Sequence, residues 1–392
     1  MKKIKVLMVT SSYPIKGSNL GAFIQNIVKD LTSLGVEVGV MVFSTSKQYH
    51  EYKQNGATIY EYPYVSILPP LLHKNKGIIP SVRSNWLAKF ELISYYFKTR
   101  KYIKKLSKNY DIVHAHWFIP SGFIACNLKH TIKKPLITTA WGAEFHLPNN
   151  PLVRKILGYT NKQNDKIIAV SNYMVKKAEE YGLNTQYMEV IPNSINLKQF
   201  TVKRHRHKSD KIIIGTIRRL VPEKRINDLI DSVSLLPENI KQKIELWIVG
   251  DGPEKNNLIK LVELKHITNI TKFFGMIDHS KVPNILSKID IYVNPSIQEG
   301  MATANIEAMR AGCAVIATRG YGNDEVIDNN KNGILFNGKN INELSKKLKL
   351  LINDTQLLKK FGTNAKTKIK DNFSSLRIAK LYLKQYGLLL EK

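Results

Sequence analysis

Two glutamates eight residues apart are the most informative chemical groups in this chain. Glu299 precedes Gly300, and Glu307 lies in an apolar run with helical spacing that contains residues 306–310. Apolar, strand-like segments flank the pair at 289–295 and 314–318. Carboxylates on both sides of a strand–loop–helix joint can hold a hydroxyl-rich ligand at a helix N-terminus, where phosphate also binds. Sugar nucleotides are ligands of this kind.

The residues between the two acids are expected to bind phosphate. The helix would begin with the backbone N–H groups of Gly300, Met301, Ala302 and Thr303. Glu307, about one turn into the helix, would accept hydrogen bonds from ribose hydroxyls, and Glu299 would accept them from the transferred sugar. Two acids at this spacing also fit a solvated helix face, but the apolar neighbours of Glu307 favour a packed position.

A basic pair follows another predicted strand. Arg219 and Lys224 lie five residues apart across a turn at Pro222. Together they could bind a diphosphate from two sides. In so basic a chain, the two residues could also be surface cations with no ligand. No two aspartates are separated by a single residue, so a D-x-D metal clamp is missing. We therefore expect the cations and the helix dipole to neutralise the phosphates, with no metal ion and no cofactor.

Two further candidates lie in the first half of the chain. Gly21 opens an amphipathic helix whose N-terminal N–H groups could face a ligand, although such a glycine also fits a simple turn. His114 and His116 share one face of a strand, and His116 stands at its end. A histidine there could bond a sugar hydroxyl or stabilise developing charge, or it could be a core histidine bonded to a carbonyl. We favour function for His116 and structure for His114.

Strands and amphipathic helices alternate along most of the chain, which indicates βαβ units around parallel sheets. A polar, non-periodic stretch at 196–211 is the best linker candidate, and ligands are expected at strand C-termini. Strands are predicted at 4–10, 36–43, 111–116, 136–140, 166–171 and 187–192, and again at 211–217, 243–250, 270–275, 289–295 and 314–318.

The chain is strongly basic, with a formal net charge of +29. The densest segment, Lys74 to Lys108, has ten Lys or Arg residues and one acid, Glu91, interleaved with aromatic residues. Such a stretch suits an anionic membrane surface, and the alternative is a solvated helix face. No nucleic-acid reader motif accompanies the charge, so nucleic acid is not an expected partner.

Bulk properties favour a two-domain cytoplasmic protein. A chain of 392 residues is long for one core, and no apolar run is long enough to span a membrane. The short apolar segment near the N-terminus fits a first strand better than a signal peptide. Cys126 and Cys313 lie far apart in apolar surroundings, which fits a reducing compartment.

Several motifs in order resemble the retaining glycosyltransferases of family 4, which have the GT-B fold. The resemblance rests on the two glutamates with the following EAMRAGCAVIAT, on RLVPEK at 219–224 and on VGDGP at 249–253. It extends to VHAHW at 113–117, AVSNYM at 169–174 and VIPNSIN at 190–196, and so spans roughly residues 1–375.

The resemblance implies an α/β protein with two Rossmann-like, doubly wound parallel-sheet domains facing across a cleft. It implies an acceptor-binding domain at 1–197, a nucleotide-sugar-binding domain at 198–374 and a helix at 375–392 that returns to the first domain. The positions matching Arg219 and Lys224 bind donor phosphates in the family, and that matching Glu307 binds ribose. The positions matching Glu299 and His116 are the catalytic candidates beside the transferred sugar.

The resulting functional hypothesis is a metal-independent hexosyltransferase that retains anomeric configuration. It would act at the inner face of the cell membrane on a lipid-linked or polysaccharide acceptor, in envelope, lipopolysaccharide or capsule synthesis. A nucleotide-sugar epimerase of similar architecture and a non-catalytic accessory subunit are the alternatives. The chain departs from the family at Arg225, where glycine is usual, and at residues 301–303, where a Phe-Gly or Phe-Pro type of sequence is commoner.

Overall fold

The computed structural model describes residues 3–15, 21–44, 46–65, 71–72, 78, 81–82, 85–146, 151–204 and 211–391. The chain divides into two compact units. The first comprises Met1–Ser194 together with Ser375–Lys392, and the second comprises Ile195–Ser374. Part of the predicted linker, at 205–210, lies outside the described residues, as do positions 74–77, 79–80 and 83–84 of the basic segment.

The first unit is built on an eight-stranded sheet in the order β3-β4-β2-β1-β5-β6-β7-β8. Only β3 and β4 pair antiparallel among the described strands. Apolar, β-branched runs form the inner strands because both sheet faces are covered. The strands are β1 Lys5–Thr10, β2 Glu37–Ser44, β3 His50–Gln54, β4 Ala57–Pro63, β5 Ile112–His116, β6 Leu136–Ala140, β7 Lys166–Ala169 and β8 Met188–Val190.

Helices cover both faces of this sheet, and an apolar cluster of buried side chains lies on each side of the sheet. The final helix packs against Ala22–Ser33 in one of them, where it buries Ile378, Tyr382 and Tyr386. The C-terminal helix therefore belongs to the core of the first unit. The helices are Ala22–Ser33, Ala88–Leu106, Phe123–Cys126, Lys129–Ile132, Pro151–Gln163, Asn172–Glu180 and Ser375–Leu390.

The second unit has a six-stranded parallel sheet in the order β11-β10-β9-β12-β13-β14. Its strands are β9 Ile212–Ile217, β10 Ile244–Val249, β11 Thr271–Gly275, β12 Ile291–Asn294, β13 Ala314–Thr318 and β14 Ile334–Phe336. Its helices are Ile226–Ser234, Glu238–Lys241, Lys255–Leu264, Val282–Leu286, Thr303–Ala311, Asn323–Val326, Ile341–Asn353 and Thr355–Asn372.

Strand order reverses once in each unit, and the candidate site residues follow these reversals. The reversal lies between β1 and β5 in the first unit and between β9 and β12 in the second. Ligands of doubly wound sheets bind outside the strand C-termini at such points. His116 ends β5, and Glu299 lies in the loop after β12. The two sheets thus support the GT-B fold predicted from the sequence.

The β3–β4 hairpin was not among the predicted strands. Its two-residue turn is Asn55-Gly56, with φ angles of 51° and 80°. Positive φ at both turn residues is the geometry that an Asn-Gly pair favours in tight hairpins. The dipeptide was therefore the signal for this antiparallel edge.

No helix in the described ranges has the length and apolar character needed to cross a bilayer.

Candidate active site

Two adjacent arginines, one buried and one exposed, directly follow β9. Side chains alternate along an extended chain, so Arg218 shares a face with the buried Leu220. Arg218 is 9% exposed, whereas the side chain of Arg219 is exposed to solvent. The sequence prediction chose Arg219 and missed Arg218, although the apolar residue two positions further on indicated which arginine points inward.

The glycines of the VGDGP motif allow two loops to pack closely. A Cβ at Gly252 would lie 2.2 Å from the backbone oxygen of Leu220, and one at Gly250 would lie 1.8 Å from that of Arg218. The Leu220 N–H donates to the Asp251 carbonyl at 2.9 Å across this contact. The motif therefore fixes the backbone that carries Arg218 and Arg219.

Glu299 lies between two cations at this position. Its Oε1 accepts hydrogen bonds from Nη1 of Arg218 and from Nζ of Lys224, the latter at 2.7 Å. The carbonyl of Glu223 also accepts a bond from the Ile297 N–H at 3.2 Å, which joins the loops that carry Lys224 and Glu299. The structure thus brings together Lys224 and Glu299 and adds Arg218.

This cluster holds one more positive charge than negative. Burial alone would raise the pKa of Glu299, but Arg218 and Lys224 outweigh burial and hold it at about 2. Burial also lowers the pKa of Lys224, an effect that Glu299 opposes. Within the described part of the chain, no acceptor faces the buried Nε of Arg218. A buried excess of donors and positive charge favours an anionic ligand.

The depressed pKa of Glu299 predicts a specific loss of stability in acid. A carboxyl group with a pKa of 4.5 when unfolded and about 2 when folded stabilises the protein above pH 4.5 and loses that contribution as pH falls toward 2. We expect about 2 kcal/mol of this contribution to be lost between pH ~5 and pH ~3. Urea unfolding of wild type and Glu299→Gln at both pH values measures it, and equal pH dependence in the two proteins would contradict it.

The helix Thr303–Ala311 begins beside this cluster. Ala302 occupies its N-cap, and a methyl side chain cannot accept a hydrogen bond from the first turn. The side chains of Met301 and Ala302 are buried, and Gly300 is also buried. These residues therefore turn their side chains into the protein and contribute backbone to the start of the helix.

Glu307 faces a histidine that the sequence prediction missed. Nε2 of His279 lies 3.0 Å from Oε1 of Glu307, and this contact raises the pKa of His279 against the opposing effect of burial. The ring of Phe200 meets the His279 ring edge-on at 5.8 Å between centroids. Glu307 is therefore held in a packed position, which its apolar neighbours in the sequence favoured.

A buried chain of amides supports the loop between the two glutamates. The side chain of Asn294 donates to Asn305 at 2.9 Å, and that of Asn305 donates to Asn323 at 2.8 Å. Asn323 donates in turn to the carbonyl of Thr318. This network ties the ends of β12 and β13 to the helix Thr303–Ala311. Sequence reasoning missed it because asparagine alone gives no periodic signal.

Arg225 stands where glycine is usual in the family, and its backbone has the left-handed conformation that glycine adopts readily. Its φ of 53° is in the left-handed region that favours glycine. The guanidinium group binds the buried Asp228 through two hydrogen bonds of 2.9 and 2.6 Å. This bidentate pair offsets the backbone strain and directs the charge of Arg225 toward its own helix.

The two histidines of β5 differ in their bonding. His114 is hydrogen bonded to Tyr386 and to Thr139, both at 2.8 Å. His116 is fully buried beside the Trp141 ring, and neither of its ring nitrogens has a partner in the described ranges. Burial lowers the pKa of His116 to about 3, so the ring is neutral near pH 7. A neutral imidazole can donate one hydrogen bond and accept one.

Gly21 occupies a position where only glycine fits. It caps the helix Ala22–Ser33 with a φ of 81°, and a Cβ there would lie 2.2 Å from the backbone oxygen of Ser12. The loop after β1 therefore passes directly over the start of this helix. A role in packing accounts for this geometry, and ligand binding by Gly21 stays a prediction.

Two family models match the chain, one in each half. The model described as Glycosyltransferase Family 4 matches residues 20–199, and that described as Glycosyl transferases group 1 matches residues 198–368. An uncharacterized glycosyltransferase of Methanocaldococcus jannaschii is 27% identical over 366 residues, 93% of this chain and 92% of that protein. The N-acetyl-alpha-D-glucosaminyl L-malate synthase of Bacillus anthracis is 26% identical over 286 residues, with coverages of 70% and 74%.

Solved structures share the fold at low identity. The sucrose-phosphate synthase of Thermosynechococcus elongatus superposes with a TM-score of 0.80 at 16% identity, covering 99% of this chain and 100% of that one. HepE of Anabaena in complex with UDP-glucose gives a TM-score of 0.74 at 17% identity, with coverages of 98% and 99%. Together with the two sheets and the two family models, these likenesses identify the chain as a glycosyltransferase of the group 1 and family 4 type, with the GT-B fold.

Proposed function

We propose that this enzyme transfers a hexose from a UDP- or GDP-linked donor to a lipid-linked or polysaccharide acceptor, with retention of anomeric configuration and without a metal ion. Envelope, capsule or lipopolysaccharide synthesis would use such a reaction. The observation that carries the proposal is the cluster of Arg218, Lys224 and Glu299, with its buried excess of positive charge beside a helix N-terminus.

The donor diphosphate is assigned to the second unit. Arg219 is exposed and lies outside the carboxylate cluster. Nζ of Lys224 donates to Glu299 at 2.7 Å and to the carbonyl of Gln298 at 3.4 Å, which leaves one ammonium proton for a phosphate oxygen. Backbone N–H groups of Gly300, Met301, Ala302 and Thr303 would add the positive end of the helix dipole. These groups supply the positive charge that a metal ion supplies in D-x-D enzymes.

Glu299 and Glu307 are assigned to different parts of the donor. With its pKa held at about 2, Glu299 is ionised at neutral pH and cannot deliver a proton. Glu299 would therefore accept hydrogen bonds from hydroxyls of the transferred sugar, positioned by Arg218. Glu307, held by His279, would accept hydrogen bonds from the ribose.

The acceptor is assigned to the first unit, and two residues of this unit are assigned to the donor. His116, buried and neutral, would bond a hydroxyl of the transferred sugar, and Gly21 would contribute donor-binding backbone at the start of its helix. Front-face attack, with a donor phosphate oxygen taking the acceptor proton, would retain configuration. The UDP-glucose bound by HepE and the glucosaminyl group in the name of the Bacillus anthracis synthase support a nucleotide-sugar donor.

Donor binding tests the assignment of Glu307. We expect Glu307→Gln to weaken binding of the preferred nucleotide sugar about 10–100-fold, because a charged acceptor of ribose hydrogen bonds becomes neutral. A thermal-shift screen of UDP- and GDP-sugars measures this, since a ligand that binds only the folded state raises its stability.

Glu263→Gln is the matched control for that variant. Glu263 is an exposed acid on the helix Lys255–Leu264, and its replacement should leave donor affinity unchanged. If no nucleotide sugar in the screen stabilised the wild-type protein, the result would favour the accessory-subunit alternative. Equal affinity in wild type and Glu307→Gln would remove the ribose assignment alone.

A further inference from the structure

We propose that the outer face of the helix Ala88–Leu106 docks the first unit onto an anionic lipid bilayer. The expectation from sequence rested on charge in the segment from Lys74 to Lys108, and the structure adds an exposed apolar surface. The proposal concerns where the enzyme works and stands independently of the transfer reaction. If the acceptor is lipid-linked, membrane docking would bring the enzyme to the surface that holds its acceptor.

One line of outward-facing side chains defines the docking ridge. Its first half is apolar and its second half is cationic, with every step three or four residues long, as one helix face requires. Trp86, Phe90, Ile93 and Phe97 are 66%, 63%, 59% and 63% exposed. The ridge consists of Trp86, Phe90, Ile93, Phe97, Lys101, Lys104 and Lys108, all exposed.

The opposite face of the helix anchors it in the core, so the ridge is not needed for packing. Tyr95, Ile103 and Leu106 are buried in the apolar cluster on this side of the sheet. Thr99 is buried as well and is hydrogen bonded to Tyr62 at 2.7 Å. The first half of the helix is therefore apolar on its outer face as well, and the described residues do not cover that face.

The exposed charges of this helix have one sign. Its sole acid, Glu91, is buried and accepts hydrogen bonds from the Tyr64 hydroxyl at 3.1 Å and the Leu71 N–H at 2.9 Å. Lys89 and Lys105 are exposed beside the ridge. An apolar strip on a helix whose exposed charged side chains are all cations matches a helix that lies in the plane of an anionic membrane.

Charge also selects among the partners that could cover an apolar ridge. A second copy of this chain would bring its own ridge lysines and a net charge of +29, so like charges would meet. An anionic bilayer supplies negative headgroups for Lys101 and Lys104 and an apolar boundary for Trp86 and Phe90. The ridge runs about 21 Å along the helix between Phe90 and Lys104.

Vesicle cosedimentation tests the proposal with the full-length protein. Wild type is expected to bind phosphatidylcholine vesicles containing phosphatidylglycerol, and to bind phosphatidylcholine alone at least tenfold more weakly. Binding should weaken between ~0.1 M and ~1 M salt, because the screening length falls from about 10 Å to about 3 Å. We expect Phe90→Ser with Phe97→Ser, and Lys101→Gln with Lys104→Gln, each to lower the affinity about tenfold or more.

Matched variants on the second unit control for general changes in hydrophobicity and charge. Leu264 and Met276 are 71% and 79% exposed, and Lys359 and Lys360 are exposed. Serine at the first pair and glutamine at the second should leave vesicle binding unchanged. All variants should keep the wild-type rate of donor hydrolysis, so loss of docking is distinguishable from loss of catalysis.

Three results would overturn the proposal. One is equal binding to neutral and anionic vesicles, and another is wild-type vesicle binding by both ridge variants. The third is a wild-type protein that is dimeric and does not bind vesicles, with ridge variants that are monomeric. A second copy of the chain would then be the partner that covers the ridge.

Discussion

Lys224→Met is expected to lower the rate of sugar transfer about 10²–10³-fold at saturating donor while the protein stays folded. Methionine keeps the unbranched apolar stem but removes the cation assigned to the leaving diphosphate. Glu299 retains Arg218 as its partner, so no buried carboxylate is left without a cation. Nucleoside diphosphate release, measured at saturating donor, gives the rate, and thermal unfolding verifies the fold.

Lys241→Met is the matched control for this variant. Lys241 forms a 3.0 Å ion pair with Glu238 on a short helix that leads into the N-terminal end of β10, whereas the candidate site follows the C-terminal ends of β9 and β12. The Lys241→Met change should leave the transfer rate within about twofold of the wild-type rate, because a surface ion pair contributes little. Equal rates in Lys224→Met and wild type would remove Lys224 from the donor site.

Glu299→Ala is expected to destabilise the second unit by about 3–5 kcal/mol and to abolish transfer. The change leaves the buried guanidinium of Arg218 without its carboxylate, and an uncompensated buried charge carries this cost. Glu299→Gln keeps a hydrogen-bond acceptor in place and should cost less. Urea unfolding at neutral pH, followed by hydrogen-exchange protection of β9 and β12, reports on this unit.

Glu238→Ala provides the comparison for that loss of stability. Its carboxylate also pairs with a cation, but the Glu238 side chain is 69% exposed. Removing it should cost at most about 1 kcal/mol, because exposed ion pairs contribute little. If both alanine variants lost equally little stability, the cluster around Glu299 would be open to solvent and its low pKa would need another cause.

The parallel strands at the centre of each sheet were predictable because they are short apolar runs separated by periodic helices. The observed β1, β5, β6 and β13 lie within one residue of the predicted bounds. Among the described strands, β3, β4 and β14 were not predicted, whereas the edge strands β8 and β11 were. β3 is almost fully exposed and β14 has three residues, so neither carries enough apolar pattern to stand out.

Side-chain direction limited what the sequence showed of the site. Motif spacing placed Lys224 and Glu299 in loops after strands, where parallel sheets bind ligands, and Glu307 in the first turns of the following helix. Arg218 and Arg219 are adjacent, and in the sequence only the apolar Leu220, two positions after Arg218, indicated which of them points inward. His279 comes from a distant loop, so no local pattern connects it with Glu307.

The chemical fate of a labelled sugar distinguishes transfer from epimerisation and from the absence of catalysis. Wild-type enzyme would receive a panel of UDP- and GDP-hexoses labelled in the sugar, with and without a glycan acceptor. We predict that label leaves one donor type as a glycoside, with one nucleoside diphosphate released per sugar, and that label passes only slowly to water without acceptor. Label that remains on the nucleotide as an isomeric sugar, or a panel with no donor bound or consumed, would contradict it.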